Sequence, residues 1–197
     1  MEKILLLDID KTIIDSDSML LFIKYSLKNP LNILRLPWVL LVSILYLFKL
    51  VSIEYTKSVI YHPINNMSEK EIEIFFKQLI NKHANQELFE IIKAKQQANY
   101  KIIMVTASIE TYMKYFKIYN YADVVLGTRY NKKVIGKNCK AKEKVNRLAE
   151  LNLDIDYENS YGYSDSRSDL YMLKLVKNYY QVTYPHFHQA VIKPFKN

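Results

Sequence analysis

Asp8 and Asp10 stand one residue apart in Asp8-Ile9-Asp10-Lys11-Thr12, directly after the apolar run Ile4-Leu5-Leu6-Leu7. An extended segment turns residues i and i+2 to the same side, so both carboxylates face one space. One can attack an electrophile while the other moves a proton or meets a metal ion. Comparable pieces recur downstream. Thr106 closes the apolar run Ile102-Ile103-Met104-Val105 and leads into Ala107-Ser108. Lys144 lies in the basic stretch Lys140-Ala141-Lys142-Glu143-Lys144-Val145. Asp165 and Asp169 lie in Tyr163-Ser164-Asp165-Ser166-Arg167-Ser168-Asp169-Leu170. Each has a plain structural reading as well. Threonine commonly ends a strand, neighbouring lysines form solvated faces, and aspartates cap helices. Chemistry is favoured because all four pieces occur in order at strand ends or helix starts.

The elements that must position these residues follow from periodicity. A strand is expected over 3–8, then a helix-rich stretch over about 16–98. Strands near 101–106, 122–127, 159–163 and 178–183 then alternate with helices near 109–118, 141–151 and 167–175. Such alternation implies an α/β fold, a Rossmann-like parallel sheet with helices on both faces. Short apolar strands fit burial on both sides, and ligands of such sheets gather at the carboxyl ends.

The four motifs together resemble the haloacid dehalogenase (HAD) phosphatase superfamily, in particular its phosphoserine-phosphatase-like subfamily. The resemblance implies that Asp8 attacks phosphorus and that Asp10 protonates the leaving alkoxide, then activates water. It implies that Thr106 bonds a phosphoryl oxygen and that Lys144 neutralises charge. It also implies Mg²⁺ held by the Asp8 carboxylate, the Asp10 main-chain carbonyl and Asp165, with Asp169 orienting that loop. Thr12, Ser108 and Asp17 are expected to contact the substrate. Asp17 has a second reading as the cap of a helix beginning at Met19. Two positions depart from the family pattern. Lys11 replaces a small residue, and Ser164 replaces a glycine, so no positive φ is expected there. By the same resemblance, residues 1–15 and 99–197 form the core domain, and 16–98 form a helical cap inserted after the first strand.

The inserted block holds the other unusual feature, the uncharged 13-residue run from Leu36 to Phe48 between Arg35 and Lys49. It is short for a membrane crossing, which takes about 20 apolar residues. It suits a segment within 31–55 lying in a membrane interface, with Trp38 and Tyr46 at headgroup level and Lys24, Lys28, Arg35 and Lys49 toward anionic lipid. Burial in the cap or in a dimer interface is the alternative. The formal net charge of +8 agrees with an anionic surface as partner. No arginine cluster, zinc-ligand spacing or RNA-binding signature points to nucleic acid. Single Cys139 excludes an internal disulfide and fits a reducing compartment. The N-terminus lacks the pattern of a signal peptide, so a cytoplasmic protein peripheral to the membrane is expected.

Leu21-Phe22-Ile23-Lys24-Tyr25-Ser26-Leu27-Lys28-Asn29-Pro30-Leu31-Asn32, Tyr161-Gly162-Tyr163-Ser164-Asp165-Ser166 and Val182-Thr183 before Pro185 are similar to the phosphatidylglycerophosphatase C branch. That similarity implies a phosphorylated lipid substrate such as phosphatidylglycerophosphate. A soluble phosphatase of small metabolites and an inactive lipid-surface module are the rival readings, and the oligomeric state stays open. His186 and His188, in a Pro-flanked tail, read as surface residues.

Overall fold

The structure, a computed structural model, describes residues 1–131, 134–186 and 189–195, without the side chains of Val134 and His186. His188 and the His186 side chain therefore lie outside the described residues. In chain order the elements are β1 (Ile4–Leu7), α1 (Ser18–Ser26), α2 (Pro30–Ile33), α3 (Leu36–Leu47), α4 (Ile53–Tyr61), α5 (Glu69–His83) and α6 (Gln86–Gln97). Then come β2 (Lys101–Ile109), α7 (Glu110–Met113), α8 (Tyr115–Ile118), β3 (Val124–Thr128), β4 (Tyr130–Asn131), β5 (Val134–Ile135) and α9 (Lys142–Ala149). The chain closes with β6 (Tyr161–Ser164), a 3₁₀ turn (Arg167–Asp169), α10 (Leu170–Leu173), β7 (Asn178–His186) and β8 (Gln189–Pro194).

The main sheet has the order β3-β2-β1-β6-β7-β8, parallel except for β8, which runs antiparallel to β7. β1 sits in the middle and is buried at every position, which is why its sequence is a continuous apolar run. Its alternate residues face two cores. Leu5 and Leu7, with Ile102 and Met104 of β2, pack against Phe22, Phe76, Leu88 and Ile92 on one side. Ile4 and Leu6, with Ile103 and Val105, pack against Leu148, Met172, Leu173 and Val176 on the other. The expected α/β architecture with helices on both faces is the observed one.

Several boundaries differ from the sequence reading. The strand expected to end at 106 runs on to Ile109, because pairing with β3 resumes at Ile109–Thr128 after a register shift. The helix expected over 109–118 is two short pieces, α7 and α8, and the one expected over 167–175 begins as the 3₁₀ turn. The β4–β5 hairpin and β8 were not anticipated. β8 is a half-exposed edge strand, whose apolar pattern is too weak to read.

The bend in β2 is held by close backbone approach. A Cβ built on Gly127 of β3 would lie 2.6 Å from the Ser108 carbonyl oxygen. Gly127→Ala should therefore destabilise the protein by about 1–3 kcal/mol, as overpacking does. The urea midpoint measures this; an unchanged midpoint would mean that the bend is free to move.

Helices α1 to α6 form the block between Asp10 and β2. Asp17 caps α1 by accepting from the Met19 and Leu20 amides at 2.9 and 3.2 Å. α5 opens with a Ser68–Glu71 capping box and buries Ile72, Phe75, Phe76 and Leu79, the i, i+3, i+4, i+7 stripe of an amphipathic helix. α3 is different. It is apolar all round and buries Val42 alone, leaving Trp38 49 % and Leu40 61 % exposed. Leu47 and Phe48 beyond them are more exposed still. Pro30–Leu47, 18 residues and 6 % buried, meets the length and composition of a membrane span. The chain on its two sides nevertheless returns to one place. Phe22 of α1 and Tyr61 of α4 have ring centroids 5.4 Å apart, and Arg35 Nη1 meets His62 Nδ1 at 2.6 Å. An apolar excursion that leaves and rejoins the same core cannot cross a bilayer once.

Candidate active site

Register brings the motifs together. Leu7 pairs with Met104 on one side and Tyr163 on the other, so Asp8 and Asp165, each just past the end of its strand, lie beside the Thr106 stretch of β2. The Asp8 amide donates to the Tyr163 carbonyl at 3.0 Å, extending the ladder into the site. A cavity of about 400 Å³ opens there, and Asp8, Asp10, Ser108, Lys144, Asp165 and Asp169 are all in its lining.

Asp8 is buried and clamped. Lys144 Nζ lies 2.5 Å from its Oδ1, and Thr12 Oγ1 donates to its Oδ2 at 3.3 Å. Lys144 comes from α9 and also pairs with Asp169 Oδ2 at 2.7 Å. Ser164 Oγ donates to the same Asp169 oxygen at 2.7 Å. Burial pushes the Asp8 carboxyl up to about 8 against the opposing pull of Lys144, with Asp169 adding to the rise. Burial also works to lower Lys144, but Asp8 and Asp169 overcome it and hold the ammonium above the ordinary lysine range.

Asp10 occupies a nest of donors. Its Oδ1 accepts from the Ser18 amide at the start of α1 at 2.7 Å. Its Oδ2 accepts from Ser108 Oγ at 2.7 Å and Thr106 Oγ1 at 3.2 Å. Burial raises its pKa, and the bonds from Ser18 and Ser108 oppose the rise. A carboxyl group pulled both ways is suited to giving and retaking a proton.

The remaining expected residues are placed as follows. Thr106 and Thr12 do not line the cavity; both are fully buried, with hydroxyls engaged by the protein. Besides bonding Asp8, Thr12 Oγ1 accepts from the Asp165 amide at 2.9 Å, so it ties the first acidic loop to the last. Asp17 caps α1 and lines the cavity as well, which leaves both of its readings in place. Ser164 has no positive φ, as expected from its side chain, whereas Lys11 does, at 57°. A lysine in that region is strained by about 1–3 kcal/mol, and this one lines the cavity.

Among the described residues no three His, Cys, Asp or Glu side chains gather as a ready-made metal cage. The donors nevertheless fit Mg²⁺, which needs only one or two carboxylates and keeps several waters. Were the ion held as the resemblance implies, the Asp8 and Asp165 carboxylates, both in the cavity lining, would supply those ligands and the Asp10 main-chain carbonyl a third oxygen. Burial raises Asp165 as it does Asp8 and Asp10, with Asp169 adding to it. A divalent cation would return such groups to their ionised forms.

Sequence reasoning missed the wall facing these loops. Lys57 and Tyr61 of α4, Tyr46 of α3 and Asn138 also line the cavity. Spacing was the available signal, since Ile53, Lys57 and Tyr61 recur every fourth residue of one helix.

Acidic loops converging at the carboxyl edge of a parallel sheet, with a buried lysine between them, define an α/β hydrolytic enzyme. Residues 5–174 match the model of the haloacid dehalogenase-like hydrolases, and the chain belongs to that family. No curated protein matches the chain. A Bordetella pertussis Tohama I protein of unknown function superposes with a TM-score of 0.73 at 16% identity, over 91% of this chain and 89% of that one. A probable phosphoserine phosphatase from Vibrio cholerae superposes at 0.69 and 14% identity, over 89% of this chain and 54% of its own. A phospho-aspartyl intermediate analogue of phosphoserine phosphatase gives 0.56 at 14% identity, covering 89% and 83%. At these identities the likeness is one of fold.

Proposed function

We propose that this hydrolase is a Mg²⁺-dependent phosphomonoesterase that acts on a lipid phosphate of the phosphatidylglycerophosphate type at an anionic membrane surface. Asp8 attacks phosphorus and the bond to the leaving oxygen breaks, with Asp10 giving that oxygen its proton. Water then attacks the aspartyl-phosphate and Asp10 takes a proton back, releasing phosphate and restoring both groups. Mg²⁺ would supply charge neutralisation to the phosphoryl oxygens. Lys144 holds Asp8 in place and offsets its charge, and Asp169 and Ser164 fix Lys144 in turn.

One observation carries the lipid reading: the exposed apolar α3 runs into the wall of the catalytic cavity. Tyr46 near the end of α3 and Ile53 at the start of α4 both line that cavity. A substrate phosphate in the cavity would have its apolar part led past these residues onto α3. We take 16–98 as the cap, with 31–55 as its docking element. Because the excursion returns to its own side, it would enter one leaflet without spanning the bilayer.

The reading is tested by Mg²⁺-dependent phosphate release from phosphatidylglycerophosphate and phosphoserine, side by side. Preference for phosphoserine would return α3 to a protein interface. Docking has its own test in Trp38→Glu with Leu41→Glu, at two exposed positions. Transferring each side chain contributes about 1.5–3 kcal/mol, so vesicle partitioning should fall by about 100-fold or more. Sedimentation with phosphatidylglycerol-containing vesicles measures it, and undiminished binding would place the contact elsewhere.

A further inference from the structure

Ile53, Lys57 and Tyr61 share one face of α4 at four-residue spacing, and all three line the catalytic cavity. Their burial rises inward. Ile53 is half-buried at the mouth, Lys57 is 6 % exposed and Tyr61 is fully buried. Beyond Tyr61 a hydroxyl chain leads to the catalytic acid. Tyr61 and Tyr112 meet at 3.1 Å, Tyr112 and Ser18 at 3.1 Å, and Ser18 and Ser108 at 2.8 Å. Ser108 then bonds Asp10. Lys57 thus stands between the apolar mouth and the reacting end.

Its ammonium is incompletely used. Nζ donates to the Ala107 carbonyl at 2.6 Å and to Asn138 Oδ1 at 2.6 Å. Three donors are available on a lysine, so one remains for a ligand in the cavity. No carboxylate among the described residues forms an ion pair with it. Burial lowers its pKa to about 8, with Asp10 and Asp17 opposing from a distance. A neutral donor could tie α4 to Ala107 and Asn138 without burying a charge. The buried cation is explained by an anion that it meets.

We infer that Lys57 determines specificity by reading a second anionic group of the substrate, a phosphodiester lying between the departing phosphate and the apolar portion. The inference deepens the phosphatase reading and rests on it, but it does not depend on membrane docking. It separates a substrate with two phosphorus centres from a simple monoester of the same lipid.

A soluble pair of probes tests it on the full chain: glycerophosphoglycerophosphate, with a diester beside its terminal phosphate, and glycerol 3-phosphate, without one. The wild-type protein should favour the first by about 10- to 100-fold in kcat/KM, mostly through KM, as a charge-assisted hydrogen bond would give. Lys57→Met should bring the ratio to within about threefold of one, and Lys57→Arg should retain most of it. Glycerophosphoglycerol should inhibit the wild-type protein competitively where glycerol does not, a measurement that needs no variant to fold. A wild-type ratio near one would overturn the inference while leaving the phosphatase reading intact. So would an equal loss on both esters in Lys57→Met, which would make Lys57 a latch between α4 and the β2 loop. Turnover of neither ester nor phosphatidylglycerophosphate would sink the phosphatase reading and this inference with it.

Discussion

Asp8→Asn should lower turnover by on the order of 10⁴-fold or more, the scale on which enzymes lose their nucleophile. The fold should survive. Asn is nearly isosteric, and its amide oxygen can still accept from Lys144, now 2.5 Å from Asp8 Oδ1. The exchange also removes one of two buried carboxyl groups that share Lys144, so the remaining pair with Asp169 is electrically simpler. Urea denaturation should show a midpoint close to the parent's while phosphate release falls to background. Mg²⁺-dependent turnover at the parent rate would remove Asp8 from its role and leave Asp10 or Asp165 as the candidate nucleophile. A lost fold would instead mean that Asp8 is needed mainly to neutralise Lys144.

Much of this site was legible in the sequence because buried parallel strands announce themselves. Ile4–Leu7 and Ile102–Val105 are continuous apolar runs, and the polar residues that end them fall where the sheet opens to ligands. The resemblance carried by the four motifs then implied which ends belong together before any register was known. Lys57 was hidden because a lysine within a helix reads as solvated, and only packing against Ala107 and Asn138 reveals it as buried. Thr12 was expected at the substrate, and its linking role was hidden for another reason. Its place between Asp8 and Asp165 depends on contact between loops 153 residues apart in sequence. α3 was ambiguous for a physical reason: an apolar helix reads alike whether protein or lipid covers it. Exposure of Trp38, Leu40 and Leu41 shows that this chain does not bury the helix, which leaves lipid or a second protein surface as its cover, and no periodicity could have supplied that.

Lys144→Met is expected to damage stability and turnover together, and the coupling is informative. The ammonium is 2 % exposed and lies between Asp8 and Asp169, at 2.5 and 2.7 Å. Removing it leaves two buried carboxylates facing each other, which costs about 3–5 kcal/mol when one partner of a buried pair is deleted. Turnover should fall by on the order of 10²–10³-fold, as when one preorganised electrostatic contact to a transition state is lost. Adding Asp169→Asn should recover much of the stability, because it removes one of the stranded charges, yet should leave turnover low. That divergence distinguishes a lysine needed for chemistry from one that only holds α9 to the sheet. Urea denaturation and Mg²⁺-dependent phosphate release on the single and double variants measure the two effects. Recovery of turnover along with stability would show that Lys144 acts through the fold alone. Lys144→Arg should not substitute, since a planar guanidinium cannot occupy the space of a point-like ammonium held by two carboxylates.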